Sequence, residues 1–267
     1  FPKAIRIADQ HNVDHLLYEQ YYDLNNSKNK SQYQNLKNQE KDLHKNVDYL
    51  FACSEKDRDK LVQINKNYVT GFVVPNGTSI KHSLKFNADY TRPSLIFCGA
   101  LDTEPNKNGI IWFYENVWPE LIESIPDITL TVIGKNGCDV RYEPLKNHNR
   151  INFVGAVDNV APYYMQSHLA IVPLLEGSGT RLKILEAMSF SLPVVSTSIG
   201  AEGIDYSDGK NILIANSKET FTKTIIATLT QEDRMEMISK NGLLLVKENY
   251  DWGKIVKDVS DILKGLA

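Results

Sequence analysis

Cysteine is scarce in this chain and neither sign of charge dominates, and each shortage narrows what the chain can be. The three cysteines, Cys53, Cys98 and Cys138, are far apart and odd in number, which gives neither a disulfide framework nor the paired spacing of a zinc site. A reducing compartment suits them, and the expected location is cytoplasmic, with peripheral attachment at the inner face of the membrane left open. Lys and Arg number 30 against 33 Asp and Glu, a formal net charge of -3. No global positive field therefore draws the chain to nucleic acid, and none is expected as a partner. No apolar run approaches the ~20 residues of a membrane helix. The longest, near Leu169 to Leu175, is interrupted by Pro173. A signal-peptide pattern is missing at Phe1-Pro2, and further chain is expected upstream.

What is present is periodic. At ~150 residues per domain, 267 residues make one large domain or two smaller ones. From Ser94 onward, short β-branched runs alternate with amphipathic stretches, which predicts βα units around a parallel sheet. The predicted strands are Ser94–Cys98, Ile128–Ile133, Ile151–Val154, Leu169–Val172, Pro193–Ser196 and Ile212–Ile214. Helices are predicted at Asn106–Ile125, Asn159–Gln166, Thr180–Phe190 and Lys218–Leu229.

The first part of the chain offers strands at Ala4–Ala8, Asp48–Cys53 and Gly71–Val74, with a helix opened by Ser54 and Asp57. So few parallel strands cannot cover both faces of a sheet. A preceding segment or a partner chain is expected to complete it. Pro75–Pro93 reads as the linker. A last amphipathic helix, Ile255–Leu266, presents Ile255, Val259, Ile262, Leu263 and Leu266 on one face.

The stretch Glu176-Gly-Ser-Gly-Thr-Arg-Leu-Lys-Ile-Leu-Glu186 follows a buried strand and opens a helix. Glycines let backbone N–H groups approach a ligand, a helix N-terminus adds partial positive charge, and Arg181 and Lys183 add two cations. This suits a pyrophosphate. Glu186 then faces away from the phosphates, where a carboxylate accepts bonds from vicinal ribose hydroxyls. The bland alternative is an ordinary glycine-opened helix with a solvated charged face, but ligands in open α/β sheets bind at the carboxyl ends of strands, where this loop lies.

Together with Cys53-Ser-Glu-Lys-Asp-Arg58, Val74-Pro-Asn-Gly77, Cys98-Gly-Ala-Leu101, Val132-Ile-Gly-Lys135, Phe153-Val-Gly-Ala-Val157 and Leu192-Pro-Val-Val-Ser-Thr197, that stretch resembles the group 1 retaining glycosyltransferases of GT-B fold. The resemblance implies an α/β architecture: a doubly wound parallel-sheet donor domain plus an incomplete Rossmann-like N-terminal domain. It divides the chain into 1–78, the end of the acceptor-side domain, 79–248, the nucleotide-sugar domain, and 249–267, a helix packing back toward the first domain.

It further implies a glycosyltransferase using a UDP- or GDP-sugar, with retention, no cofactor and no obligatory metal. The acceptor is left open among glycan, lipid-linked and small-molecule hydroxyls. Arg181 and Lys183 are the implied catalytic cations, and His11 is the implied cleft-facing histidine beside the donor sugar. Gly99, Lys107, Val157, Gly177, Ser178, Gly179, Thr180 and Glu186 are the implied donor-binding residues.

Two positions depart from the family pattern. Ser178 stands where the first glutamate of the usual pair belongs, with Glu176 out of register, and Ala100 stands where a phosphate-clamping Arg belongs. For His11 the alternative is a loop histidine bonded to backbone, and for Lys107 a surface lysine on a first turn. A zinc site through His11 and His15 lacks its third ligand. A second function class is a nucleotide-sugar-binding fragment or donor-side subunit without an acceptor site. A dinucleotide dehydrogenase fits less, because Gly177-Ser-Gly179 lacks the third glycine and falls late in its domain.

Overall fold

Parallel strands cannot be joined by tight hairpins, so each crossover carries a helix or long loop across a sheet face. The chain obeys this twice. The computed structural model describes residues 4–66, 68–80, 92–177 and 179–266. In the first unit β1 (Ile7–Gln10) leads through α1 (Asp14–Tyr21) and α2 (Ser27–Lys41) to β2 (Tyr49–Ala52), and α3 (Glu55–Ile64) leads to β3 (Thr70–Val73). The order is β1-β2-β3, all parallel. Val13, Leu50, Ala52, Leu61 and Val69 form its core.

In the second unit come β4 (Ser94–Cys98), α4 (Glu104–Asn116), α5 (Trp118–Ser124), β5 (Thr129–Ile133), α6 (Glu143–Lys146), β6 (Ile151–Gly155), α7 (Ala161–Met165) and β7 (Leu169–Val172). They are followed by α8 (Leu182–Ser189), β8 (Val194–Ser196), β9 (Leu213–Ile214), α9 (Lys218–Leu229) and α10 (Glu232–Leu245). A π-type turn, Val246–Tyr250, then precedes α11 (Trp252–Leu266). The parallel order is β6-β5-β4-β7-β8-β9. Strand order therefore reverses direction between β4 and β7, and the loops leaving those two strands diverge to open a crevice.

Alternation along β4 sets the layers. Leu95 and Phe97 face a core with Ile110, Phe113, Trp118 and Phe221, while Ile96 faces a second core with Tyr164, Ile184, Leu185 and Met188. All four residues of β7 are buried, as expected of a strand covered on both faces.

Several boundaries differ from the sequence reading. The predicted helix Asn106–Ile125 is two helices, α4 and α5, because Pro119 sits in the first turn of α5 and cannot donate into a continuing helix. The first strand is shifted from Ala4–Ala8 to Ile7–Gln10. The Arg6 carbonyl accepts from the Asp48 and Tyr49 amides, which pins the start of the β1–β2 ladder. The last helix starts at Trp252 rather than Ile255; Ile255 is buried, while Val256 and Leu263 stay exposed. Its first turn packs on Gly77, whose Cβ position lies 2.6 Å from Ile255 Cδ1. Of the predicted linker, residues 81–91 lie outside the described residues. An ion pair between Lys56 and Glu202 joins the two units.

Candidate functional site

The crevice at the β4/β7 divergence holds a cleft of about 870 Å³. Its second-unit wall comes from Cys98–Ala100 and Thr103–Asn106 at and after the end of β4, and from Leu174, Thr180–Lys183 and Glu186 around the start of α8. Its first-unit wall is Asn12, Leu17, Tyr21 and Tyr22. Strand ends converge here because every strand of both sheets is parallel.

Lys183 is the central cation. Its ammonium donates to Asn106 Oδ1 and lies 4.8 Å from the centroid of the Phe97 ring. Asn106 is itself locked, its amide donating to the Ala100 carbonyl and Thr103 Oγ1, each at 2.9 Å. Among the described residues no carboxylate lies within ion-pair distance of Lys183. Burial pushes its pKa down to about 7; Arg181 acts in the same direction, and Cys98 opposes both. The close approach depends on Gly99, whose Cβ position lies 2.5 Å from the Lys183 nitrogen.

Arg181 stands at the N-cap of α8, which has no side-chain cap hydrogen bond. Burial lowers its pKa, with Tyr21 and Glu202 acting oppositely. Gly177 (φ +112) and Gly179 (φ +80) both adopt the left-handed region that favours glycine. A Cβ on Gly177 would overlap the Arg181 guanidinium and lie 3.3 Å from Tyr21 Oη, and one on Gly179 would lie 2.6 Å from Asn12 Oδ1. The glycines thus let the loop fit between the two units. They also delay the helix, which begins at Leu182 instead of the predicted Thr180. Thr180 Oγ1 is buried with no hydrogen-bond partner among the described residues, a donor and acceptor held ready at the cleft wall.

Glu186, one turn on from Lys183, lines the cleft and accepts a hydrogen bond from Tyr164 Oη at 3.3 Å. Gly99, Thr180, Arg181, Lys183 and Glu186 are therefore brought together, with Gly177 and Gly179 shaping the loop beside them. Ser178 lies outside the described residues. Glu176, out of register in the family pattern, is held by Asn108, whose amide donates to it at 2.7 Å.

Lys107 does not line the cleft. It is buried against Glu104 (2.7 Å) and Asp139 (3.0 Å), and both acids raise its pKa. Val157 packs on the core beneath α8. His11 is exposed, with Nδ1 3.5 Å from Cys53 Sγ and Nε2 3.7 Å from Asp9 Oδ2, and its neighbour Asn12 is the residue that reaches the cleft. His15 lies on α1 and is buried against Glu40, so the two histidines do not face one another across a helix turn. Among the described residues no three His, Cys, Asp or Glu side chains converge as a metal site. No helix among them is long and apolar enough to cross a membrane.

Asn12, Tyr21, Asn106 and Tyr164 were missed as site residues. Asn106 read as the start of the predicted helix Asn106–Ile125, and Tyr164 as part of the predicted helix Asn159–Gln166. Nothing local marks Asn12 or Tyr21, because both act from the other unit.

Two units of parallel α/β structure, with a helix start at the strand-order reversal of the second unit facing the first, define a fold of the GT-B type. Known proteins agree. The family profile "Glycosyl transferases group 1" matches residues 92–231, and the chain belongs to that family. It is 31% identical over 227 residues to a protein described as "Uncharacterized 44.6 kDa protein in cps region" from Klebsiella pneumoniae, covering 82% of this chain and 57% of that one. Sucrose-phosphate synthase from Thermosynechococcus elongatus superposes with a TM-score of 0.75 at 16% identity, over 97% of this chain and 67% of that one. HepE from Anabaena, solved with UDP and glucose, superposes with a TM-score of 0.70 at 14% identity, over 97% and 71%. The chain spans about six-tenths of the length of the curated relatives it matches.

Proposed function

We propose that this chain carries the donor site of a retaining, metal-independent glycosyltransferase that moves a sugar from a nucleotide diphosphate sugar to an acceptor hydroxyl. The observation that carries the reading is Lys183: a half-buried ammonium that donates to Asn106 and lies over the Phe97 ring, with no carboxylate in ion-pair distance among the described residues, beside Arg181 at a helix start without a side-chain cap. Such an arrangement favours an incoming anion, and a diphosphate spans both cations. HepE, a neighbour in fold, was solved with UDP and glucose, which favours uridine as the base over guanosine.

In the reaction proposed, the bond from the anomeric carbon to the diphosphate oxygen breaks while the acceptor oxygen bonds to the same face of that carbon. The acceptor's proton passes to the departing phosphate oxygen, so no protein base is required. Lys183, Arg181 and the N-terminus of α8 stabilise the charge that develops on the diphosphate, a preorganised electrostatic role. With two cations and a helix terminus on the diphosphate, a divalent ion is not needed. Glu186 receives the ribose hydroxyls. The acceptor enters from the first-unit side, where Asn12 and Tyr21 form the facing wall.

Calorimetric titration with UDP, GDP and ADP, without divalent metal, tests the reading. One nucleotide is expected to bind, and Lys183→Ala and Glu186→Ala each weaken it by more than about tenfold. Binding that neither substitution weakens would overturn the assignment of the cleft. Strict dependence on added magnesium would overturn metal independence alone.

A further inference from the structure

Tyr164 is almost the last residue of α7 and one of the largest fully enclosed side chains of the molecule. Its ring stacks on Phe190 at a centroid distance of 5.2 Å and an interplanar angle of 18°. Packing of that kind needs only a phenylalanine. The hydroxyl is what requires explanation, since a phenol carried into an apolar layer must find a partner there. It finds two. It donates to Glu186 Oε2 at 3.3 Å and lies within hydrogen-bonding reach of the Cys98 thiol. Cys98 and Glu186 both line the cleft, whereas Tyr164 does not. Burial holds the phenol pKa well above its usual value, so it remains a donor at any working pH.

We infer that Tyr164 is a positioning residue: from beneath the cleft its hydroxyl fixes the Glu186 carboxylate in the orientation that receives the ribose hydroxyls of a nucleoside diphosphate. The inference rests on the donor-site reading above and deepens it. Glu186 extends from α8 on a flexible stem, and a carboxylate that accepts two vicinal hydroxyls must turn its plane so that it faces both. Anchoring one oxygen from below restricts rotation of the carboxylate before ligand arrives, which lowers the ordering cost of binding. The same anchor fixes α7 to α8 at the strand ends where the cleft opens. Because the link runs through the ribose, its energetic signature is tied to the ribose hydroxyls and to no other part of the nucleotide.

The test compares UDP with 2′,3′-dideoxy-UDP by calorimetry, on wild type and on Tyr164→Phe, which keeps the ring on Phe190. Wild type is expected to prefer UDP by about tenfold or more. Tyr164→Phe is expected to bind UDP about tenfold more weakly while its affinity for the dideoxy compound stays within about twofold. Equal losses for both ligands, or an undiminished preference for UDP, overturn the inference, since a merely structural phenol would act on both alike. Glu186→Gln changes the partner of the Tyr164 hydroxyl but keeps the tyrosine in its enclosure, and reports even if Tyr164→Phe does not fold. It is expected to lose the UDP preference, and full retention there also overturns the inference. Wild type that binds both ligands equally refutes the ribose role of Glu186 itself, and with it the reading on which this inference stands.

Discussion

The state of charge of Lys183 is measurable without knowing the acceptor. In the open cleft its ammonium is crowded by Phe97, Asn106 and the Gly99 backbone, and its pKa is held down to about 7. A diphosphate placed beside it favours the protonated amine and returns the pKa toward the ordinary lysine range. Binding therefore takes up a proton wherever the free site is neutral. At pH 8 the free amine is about nine-tenths neutral, so uptake is about 0.9 proton per site, against about 0.1 at pH 6. The sign is fixed: affinity falls as pH rises through 7, by about tenfold between pH 6 and pH 8.

The Cys98 thiol and the Tyr21 phenol on the same cleft do not mask the effect. Burial raises the pKa of the Cys98 thiol and of the Tyr21 phenol, and both stay protonated over this range. UDP-glucose is the suitable probe, because its pyrophosphate diester holds a constant charge there. Calorimetry at each pH in buffers of different ionisation enthalpy gives the proton count as a slope. Lys183→Met is expected to flatten both the slope and the pH dependence. A wild-type slope of zero at pH 8, with tight binding, would refute the argument, since Lys183 would then be charged before the ligand arrives.

Two further outcomes follow from packing. Gly99→Ala places a methyl 2.5 Å from the Lys183 nitrogen and 3.0 Å from Asn106 Nδ2. It is expected to weaken nucleotide binding by about tenfold with the melting temperature little changed, and unaltered affinity by calorimetry counts against the close approach described here. Glu40→Ala removes the partner of buried His15 and of the Asp14 amide, which donates to Glu40 Oε1 at 2.5 Å. Urea unfolding followed by circular dichroism is expected to show a loss of about 3 kcal/mol, and a loss below about 1 kcal/mol would mean that the pair does not hold α1 in place.

Legibility in the sequence followed the range of the forces involved. The Lys218–Leu229 helix was read to the residue because its determinants are local: Ser217 and Thr220 form a capping box, and Phe221 and Ile225 bury one face. The fully apolar Leu169–Val172 strand was equally plain. The split between α4 and α5 was missed because the apolar period continues across Pro119, although a proline inside such a pattern is a local break signal. Helix α10 went unread, although Met235, Ile238, Gly242 and Leu245 bury at helical spacing.

In the site, the motifs that carry Gly99, Arg181, Lys183 and Glu186 are legible locally, and two adjacent strand ends place those residues on one cleft. Lys107 read as a candidate phosphate contact because its pairing with Asp139 arises from a loop distant in sequence, which no local pattern reveals. The contributions of Asn12 and Tyr21 were hidden for the same reason: they come from the facing unit.

Three neighbouring strands of the second unit reach the cleft end of their sheet at a glycine, with the Gly99 amide bonded to the Ile133 carbonyl and the Gly134 amide to the Gly155 carbonyl, each at 2.9 Å. A Cβ on Gly134 would overlap the Gly99 carbonyl. This edge is bare main chain, and main chain is the same whatever the side chains do. Substitution there reduces to the glycines, where backbone blocks a Cβ at Gly134 and the φ of +81° at Gly155 favours glycine. Change is left to the rims, where residues such as Asn12 and Tyr21 stand apart from this floor.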